Sequence, residues 1–190
     1  MDSYSDNDLL KKLALGDKQA FEILVKRYQN LVFTVCKNIV KDNFVAEDLA
    51  QDVFVKIYNN VNQFRFEAAF KTWLYKICYN TCFQYLKSQT KTFQQYAEEL
   101  PLNKTEESGG IFEQLTLNEK NNYIKEAIQE LEPFSAALIQ LYYYESYSIN
   151  EICQITNQSV SNIKIQLFRA RKVLSLLLRG VLKFKQLIIK

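Results

Sequence analysis

The chain is predicted to be all-α, with two helical domains, and three observations carry that expectation. Apolar residues recur at three-four spacing almost throughout, the period of a helix with one buried face. Only four glycines and two prolines occur in 190 residues, far too few for a turn-rich β fold. Residues with helix-capping side chains stand at the head of most periodic runs. A hydrophobic share of 48% and an aromatic share of 14% exclude wholesale disorder, and this length accommodates one large domain or two small ones.

The elements follow in order. Ser5 or Asp6 can cap a short first helix that stops at Gly16, and Asp17 can cap the next. The second helix carries Phe21, Leu24, Val25, Tyr28, Leu31, Val32, Val35, Cys36 and Ile39 on its apolar stripe, and Asp42-Asn43 breaks it. A third helix is predicted from about Val45 to Asn60 and, after a connection from Val61 to Glu67, a fourth from about Ala69 to Ser88. These four helices form a first domain, residues 1–90. Residues 91–118 are rich in Gln, Thr, Glu and Asn, interrupted by Pro101 and Gly109-Gly110, and read as a flexible acidic linker with a short helical piece around Ile111 to Leu117. Periodicity returns in a second domain, residues 119–190. One helix there runs to Leu131, another from Phe134 to about Glu145, and a third from Ile149 to Ile155 behind a Ser148/Glu151 capping box. Thr156-Asn157-Gln158 is a three-residue turn, and Ser159 caps a long basic helix. Two helices joined by such a turn, the second basic, have the form of a helix-turn-helix.

Composition removes several functions. The chain has no histidine, so imidazole bases, Ser-His or Cys-His nucleophiles and His-ligated zinc are impossible. Cys36, Cys78, Cys82 and Cys153 form no Cys-x-x-Cys pair and read as buried free thiols, with no metal site expected. The N-terminus is polar, without a signal peptide, which makes the reducing cytoplasm the expected location. No apolar run is long enough to span a bilayer. The net charge of +3 is unevenly placed: no acid follows Glu151, whereas eight lysines and arginines do. That asymmetry suits a polyanion, nucleic acid or a membrane surface, and equally a solvated helix face.

Three helix faces carry candidate chemistry. At 100° per residue the long C-terminal helix turns Val160, Ile163, Leu167, Ala170, Leu174 and Leu178 to one side. Behind the Ser159 cap its other side presents Ser161, Asn162, Ile165, Arg169 and Lys172, flanked by Lys164, Gln166, Phe168 and Arg171. Short polar and β-branched tips near the helix start can reach base edges in a major groove, and the later cations can reach phosphates. An amphipathic bundle helix has the same pattern. On the third helix Ala46, Leu49, Ala50, Val53 and Ile57 make the buried stripe. Asp48, Gln51, Asp52, Val55 and Asn59 line the reverse, with Glu47, Phe54 and Tyr58 along one edge. An acidic patch with an apolar border fits a basic protein partner, although a plain solvated face explains it as well. The fourth helix and the connection before it hold Phe64, Phe66, Phe70, Trp73, Tyr75, Tyr79, Phe83 and Tyr85, most of them core. Lys76, Asn80, Phe83 and Lys87 nevertheless share one outward face, with Thr72 and Gln84 at its edges, and cations among rings can hold unpaired bases.

In this order the motifs resemble a known family. Ala46-Glu-Asp-Leu-Ala-Gln-Asp-Val-Phe54, Phe64-Arg65, Ala69-Phe-Lys-Thr-Trp-Leu-Tyr-Lys-Ile77 and Asn80-Thr81 closely resemble the second domain of bacterial sigma factors, most similarly the extracytoplasmic-function (ECF) type. Ser148-Ile-Asn-Glu-Ile-Cys-Gln-Ile155 and Ser159-Val-Ser-Asn-Ile-Lys-Ile-Gln-Leu-Phe-Arg-Ala-Arg171 resemble that family's fourth domain. The resemblance implies a non-enzymatic initiation factor that needs no cofactor. Its third-helix face (Asp48, Gln51, Asp52, Phe54) would dock on the coiled coil of the largest subunit of core RNA polymerase. Phe64, Arg65, Phe66, Lys76, Asn80 and Lys87 would hold a base flipped from the −10 element. The Ser159–Arg171 helix, with Lys172, would read the −35 element as duplex, and an anti-sigma factor would hold the free protein. Phe66 stands where the family commonly has a small residue such as Gly, so the loop is either reshaped or carries one more stacking ring. Ile165 and Gln166 replace a frequent Ser and Arg, shifting −35 affinity toward Arg169, Arg171 and Lys172. Two rivals remain at this point: a stand-alone helix-turn-helix regulator that binds duplex as a dimer, and a helical-bundle enzyme with a metal shared by Asp48 and Asp52. The second lacks the Glu-x-x-His ligands of such bundles.

Overall fold

The structure, a computed structural model, describes residues 4–89 and 116–188, with side chains through Arg179. Every regular element among the described residues is helical. Most of the linker predicted at 91–118 lies outside them, as does its short helical piece.

Helix α1 (Asp6–Ala14) starts at Ser5, whose hydroxyl accepts from the Asp8 amide while the Asp8 carboxylate bonds back to Ser5. Gly16 takes φ 91°, a left-handed turn that costs glycine little. Asp17 then caps α2 (Lys18–Val40), accepting from the amides of Gln19 at 2.9 Å and Ala20 at 3.3 Å. Helix α2 ends in a left-handed Lys41. The next residue, Asp42, already caps α3 (Asn43–Asn60), so this helix begins two residues earlier than the expected Val45. A 3₁₀ turn (Val61–Gln63) and an irregular loop lead to α4 (Phe70–Gln89).

Leu9, Leu10, Leu24, Ile57 and Leu74 fill the centre of this four-helix unit. At the α2–α4 seam Cys36, Cys78 and Cys82 are buried and unoxidised. Cys78 and Cys82 direct their S–H groups at Cys36, which lowers the pKa of the Cys36 thiol and, together with burial, raises those of its donors. The Asp6 carboxylate joins α1 to α2 through Arg27 and Tyr28. Lys56 joins α3 to α4 by donating to the Thr81 hydroxyl at 2.9 Å.

The C-terminal unit opens with α5 (Leu117–Glu130), capped by a Thr116/Glu119 box. It continues in α6 (Pro133–Ile139), whose first amides are accepted by the Glu132 carboxylate. A π-helical turn (Gln140–Tyr144) follows. Next come α7 (Ile149–Thr156), closed by Asn157 at φ 56°, and α8 (Val160–Ile188). Asparagine tolerates that left-handed turn better than most non-glycine residues.

The two units are packed together rather than held apart. Leu138, Leu141, Tyr147, Ile152, Ile155, Ile163 and Leu167 join the same apolar core as the N-terminal helices. Among the described residues a small cluster of Leu131, Ala136, Ile139 and Ala170 is separate.

Candidate nucleic-acid interface

The acidic face of α3 forms as its period dictates. Ala46, Leu49, Val53 and Ile57 are buried, while Asp48, Gln51 and Asp52 stand in solvent. Neither aspartate has an ion-pair partner among the described residues. Phe54, placed with them by sequence, is half-buried against the core. The exposed large apolar or aromatic side chains of this helix are Phe44, 82% exposed, Val55 and the edge residue Tyr58. Phe44 was missed by sequence reasoning, although its position four residues before Asp48 puts it on the same face.

The second surface is the loop before α4 and the outer side of that helix. Phe64 is 7% exposed, its ring 4.8 Å from Phe66, 5.2 Å from Trp73 and 6.3 Å from Phe70. It therefore floors the loop rather than protruding. Phe66 lies above it at φ 57° and is 44% exposed, with the Lys11 ammonium 5.8 Å from its ring centre. A bulky residue in that conformation is strained by about 1–2 kcal/mol. Glycine would be free of the strain, which accounts for the small residue usual in the resembling family. Arg65, Asn80 and Lys87 are exposed and Lys76 is half-exposed. Two members of the predicted outward face are covered. Thr72 is buried and its side chain hydrogen-bonds Tyr147 of the other unit, and Phe83 is half-covered, its ring centre 6.1 Å from that of Phe134.

The third surface is α8 behind the turn. The Ser159 hydroxyl accepts from the Asn162 amide at 3.3 Å and lies 3.2 Å from the Ser161 hydroxyl. The Asn162 side chain donates to Gln158 at 2.8 Å, so this predicted base reader is engaged locally. Arg171 turns back to the Leu167 carbonyl at 3.2 Å. Lys164, Ile165 and Arg169 point outward, joined by Phe168 at 57% exposure, while Gln166 and Lys172 are half-covered. Val160, assigned to the buried stripe, is 42% exposed, because it sits at the helix entrance ahead of the packed turns. Ile163, Leu167 and Ala170 are buried as expected. The Ser148 hydroxyl and amide both donate to Glu151, which holds that carboxyl below its usual range and fixes the start of α7.

A groove of about 580 Å³ lies between the units, floored by Ile39, Tyr75, Tyr79 and Leu141, with Lys37, Lys41 and Lys125 among its lining residues. No group of three or more Cys, Asp or Glu side chains suited to a metal ion occurs among the described residues, and no described helix is long and apolar enough to cross a membrane.

A capped helix-turn-helix, together with a loop that exposes the Phe66 ring ahead of a helix carrying cations, defines a class: a helical nucleic-acid-binding protein with a duplex reader and a separate base-holding surface. Comparison with known proteins makes this specific. Residues 24–92 match the Sigma-70 region 2 family and residues 121–174 match Sigma-70 region 4. The ECF RNA polymerase sigma-E factor of Escherichia coli K12 is 30% identical, over 90% of this chain and 92% of that protein. The RNA polymerase sigma-H factor of Pseudomonas aeruginosa is 27% identical, over 94% and 96%. Among solved structures, CnrH in complex with the cytosolic domain of CnrY shares the fold at TM-score 0.62 and 22% identity, over 92% of this chain and 97% of that one. The sigma factor RpoE of Bartonella quintana, bound to the anti-sigma factor NepR, does so at TM-score 0.60 and 19% identity, over 84% and 96%. The chain belongs to the ECF sigma factors, the transcription initiation factors that direct RNA polymerase to promoters.

Proposed function

We propose that this sigma factor divides its work among the three surfaces described, acting in the cytoplasm by binding alone rather than by catalysis. The α3 face grips core RNA polymerase through Asp48, Gln51 and Asp52, with Phe44 and Val55 as apolar contacts. The observation that carries the proposal is this face itself: the Asp48 and Asp52 carboxylates without an ion pair among the described residues, beside the exposed Phe44, Val55 and Tyr58, on a helix whose other side packs Ala46, Leu49, Val53 and Ile57 into the core. Side chains committed to stability would be buried or paired; these are held ready for a cationic partner.

The Phe66 ring, with Asn80, Lys76, Arg65 and Lys87, holds a base unstacked from the −10 element. Extruding a base costs a few kcal/mol, and a ring with nearby cations offsets that cost. Phe64 supports Phe66 from below. On α8, Lys164, Arg169 and Lys172 take phosphates of the −35 duplex while Ser161 and Ile165 face base edges. The domain limits 1–90 and 119–190 follow this division. An anti-sigma factor completes the set of partners: the groove between the units, apolar below and lysine-bearing, fits an acidic amphipathic segment.

Asp52→Arg is expected to abolish co-migration with core polymerase while leaving the melting temperature nearly unchanged. Retained binding would remove α3 from the proposal. Asn80→Ala is expected to slow open-complex formation on duplex promoters more than on pre-melted ones.

A further inference from the structure

The side of α8 that would meet a duplex is fixed by what the helix buries. Ile163, Leu167 and Ala170 are sealed into the core, and at 100° per residue the opposite side carries Ser161, Ile165, Phe168 and Lys172. The polar tips of the first turn are tied into the turn itself. The Ser161 hydroxyl lies 3.2 Å from that of Ser159, and the Asn162 side-chain amide donates to Gln158 at 2.8 Å. Lys164 and Arg169, exposed on either flank, are flexible cations suited to phosphates. Between them stands Ile165, 51% exposed, with Phe168 three residues on as its neighbour on the helix surface. Ile165 is β-branched and holds essentially one side-chain rotamer in a helix, so it presents a rigid apolar knob rather than an adaptable one.

We propose that Ile165 is a specificity-determining residue of the −35 contact, which it reads through the C5-methyl group of a thymine in the major groove. This rests on the assignment of α8 to the −35 duplex. Adenine, guanine and cytosine offer donors and acceptors to the major groove, and thymine alone adds a methyl group. A serine, the residue frequent at this position in the family, can pair with several of those edges. Isoleucine pairs with none of them. Set against adenine, guanine or cytosine it strips water from a polar edge and returns no hydrogen bond. Set against thymine it buries a methyl group beside its own. Preference therefore arises from both sides, a gain for one base and a penalty for the other three. The Phe168 ring widens the apolar surface and keeps water from the contact. The second turn of α8 thus selects a T·A pair at one place in the element, while the cations hold neighbouring phosphates whatever the sequence.

The test uses the full chain assembled with core RNA polymerase and a promoter duplex library randomised over the −35 region. That region is prepared once with thymidine and once with deoxyuridine, which differ by the methyl alone. The wild type is expected to enrich T at one position of the first library and to lose that enrichment in the second. On duplexes fixed at the selected sequence, replacing the single thymine by uracil is expected to weaken binding about fourfold, the worth of one buried methyl. Ile165→Ala is expected to bind the two duplexes equally, with an unchanged melting temperature because the side chain is exposed, while Ile165→Val keeps the discrimination. Enrichment of the same thymine by Ile165→Ala, or a wild type indifferent to the methyl, would overturn the role of Ile165 and leave α8 as the −35 reader. If the wild type enriches no −35 sequence while it still binds a pre-melted −10 template, the assignment of α8 itself fails and Ile165 falls with it.

Discussion

The two helical units differ in how they hold themselves together. The N-terminal unit has its own centre, with Leu9, Leu10, Leu24, Ile57 and Leu74 sealed among four helices. Among the described residues the C-terminal unit's separate buried cluster is Leu131, Ala136, Ile139 and Ala170, with Ile128, Val173, Leu174 and Leu177 packed against it. Its larger apolar residues, Leu138, Ile152, Ile155 and Ile163 among them, are continuous with the core of its neighbour. One unit is self-sufficient and the other leans on it.

The sharpest way to break this comparison is to damage the N-terminal core and watch the other unit. Leu74→Ala is expected to cost about 2–5 kcal/mol, a loss readable by denaturant unfolding. If the C-terminal unit depends on its neighbour, amide exchange in α7 should rise as well; unchanged protection there would show two independent cores. Next in size is Phe66→Gly, which relaxes a left-handed backbone. It is expected to raise folding stability by about 1 kcal/mol while weakening binding of a single-stranded −10 oligonucleotide by about 1–3 kcal/mol. Loss of stability would mean that the Phe66 ring is a packing residue of the first unit. Smaller again, Ser148→Ala should cost about 1 kcal/mol through the lost cap of α7, measured by thermal melting. Its pH dependence is fixed in sign. The Ser148 hydroxyl and amide hold the Glu151 carboxyl below its usual range in the folded chain, so its contribution is complete above the ordinary glutamate range and disappears as acid protonates the folded carboxyl. The variant should therefore show a flatter acid limb than the wild type.

Sequence reasoning succeeded where the cause is local. Ser5, Asp17, Ser148 and Ser159 could be named as caps because the amides they satisfy lie within three residues. The α3 stripe was equally plain, since one helical period sorts Leu49, Val53 and Ile57 from Asp48 and Asp52. What escaped was set by contacts across long stretches of chain. Nothing periodic marks Lys41 as the cap of a helix some ninety residues later, or pairs Tyr75 with Tyr147. For the same reason Thr72 and Phe83 looked outward on a helical wheel although the other unit covers them. Phe66 sits between these cases: the sequence flagged an unusual residue, and only the backbone revealed its strain and its ring-on-ring seat.

The three sulfurs enclosed at the α2–α4 seam make the molecule its own gauge of integrity. A colorimetric thiol reagent offered to the native protein should find Cys153 alone within reach, since Cys36, Cys78 and Cys82 are sealed off. Adding denaturant should bring the count to four, so that each step of labelling reports which wall has opened.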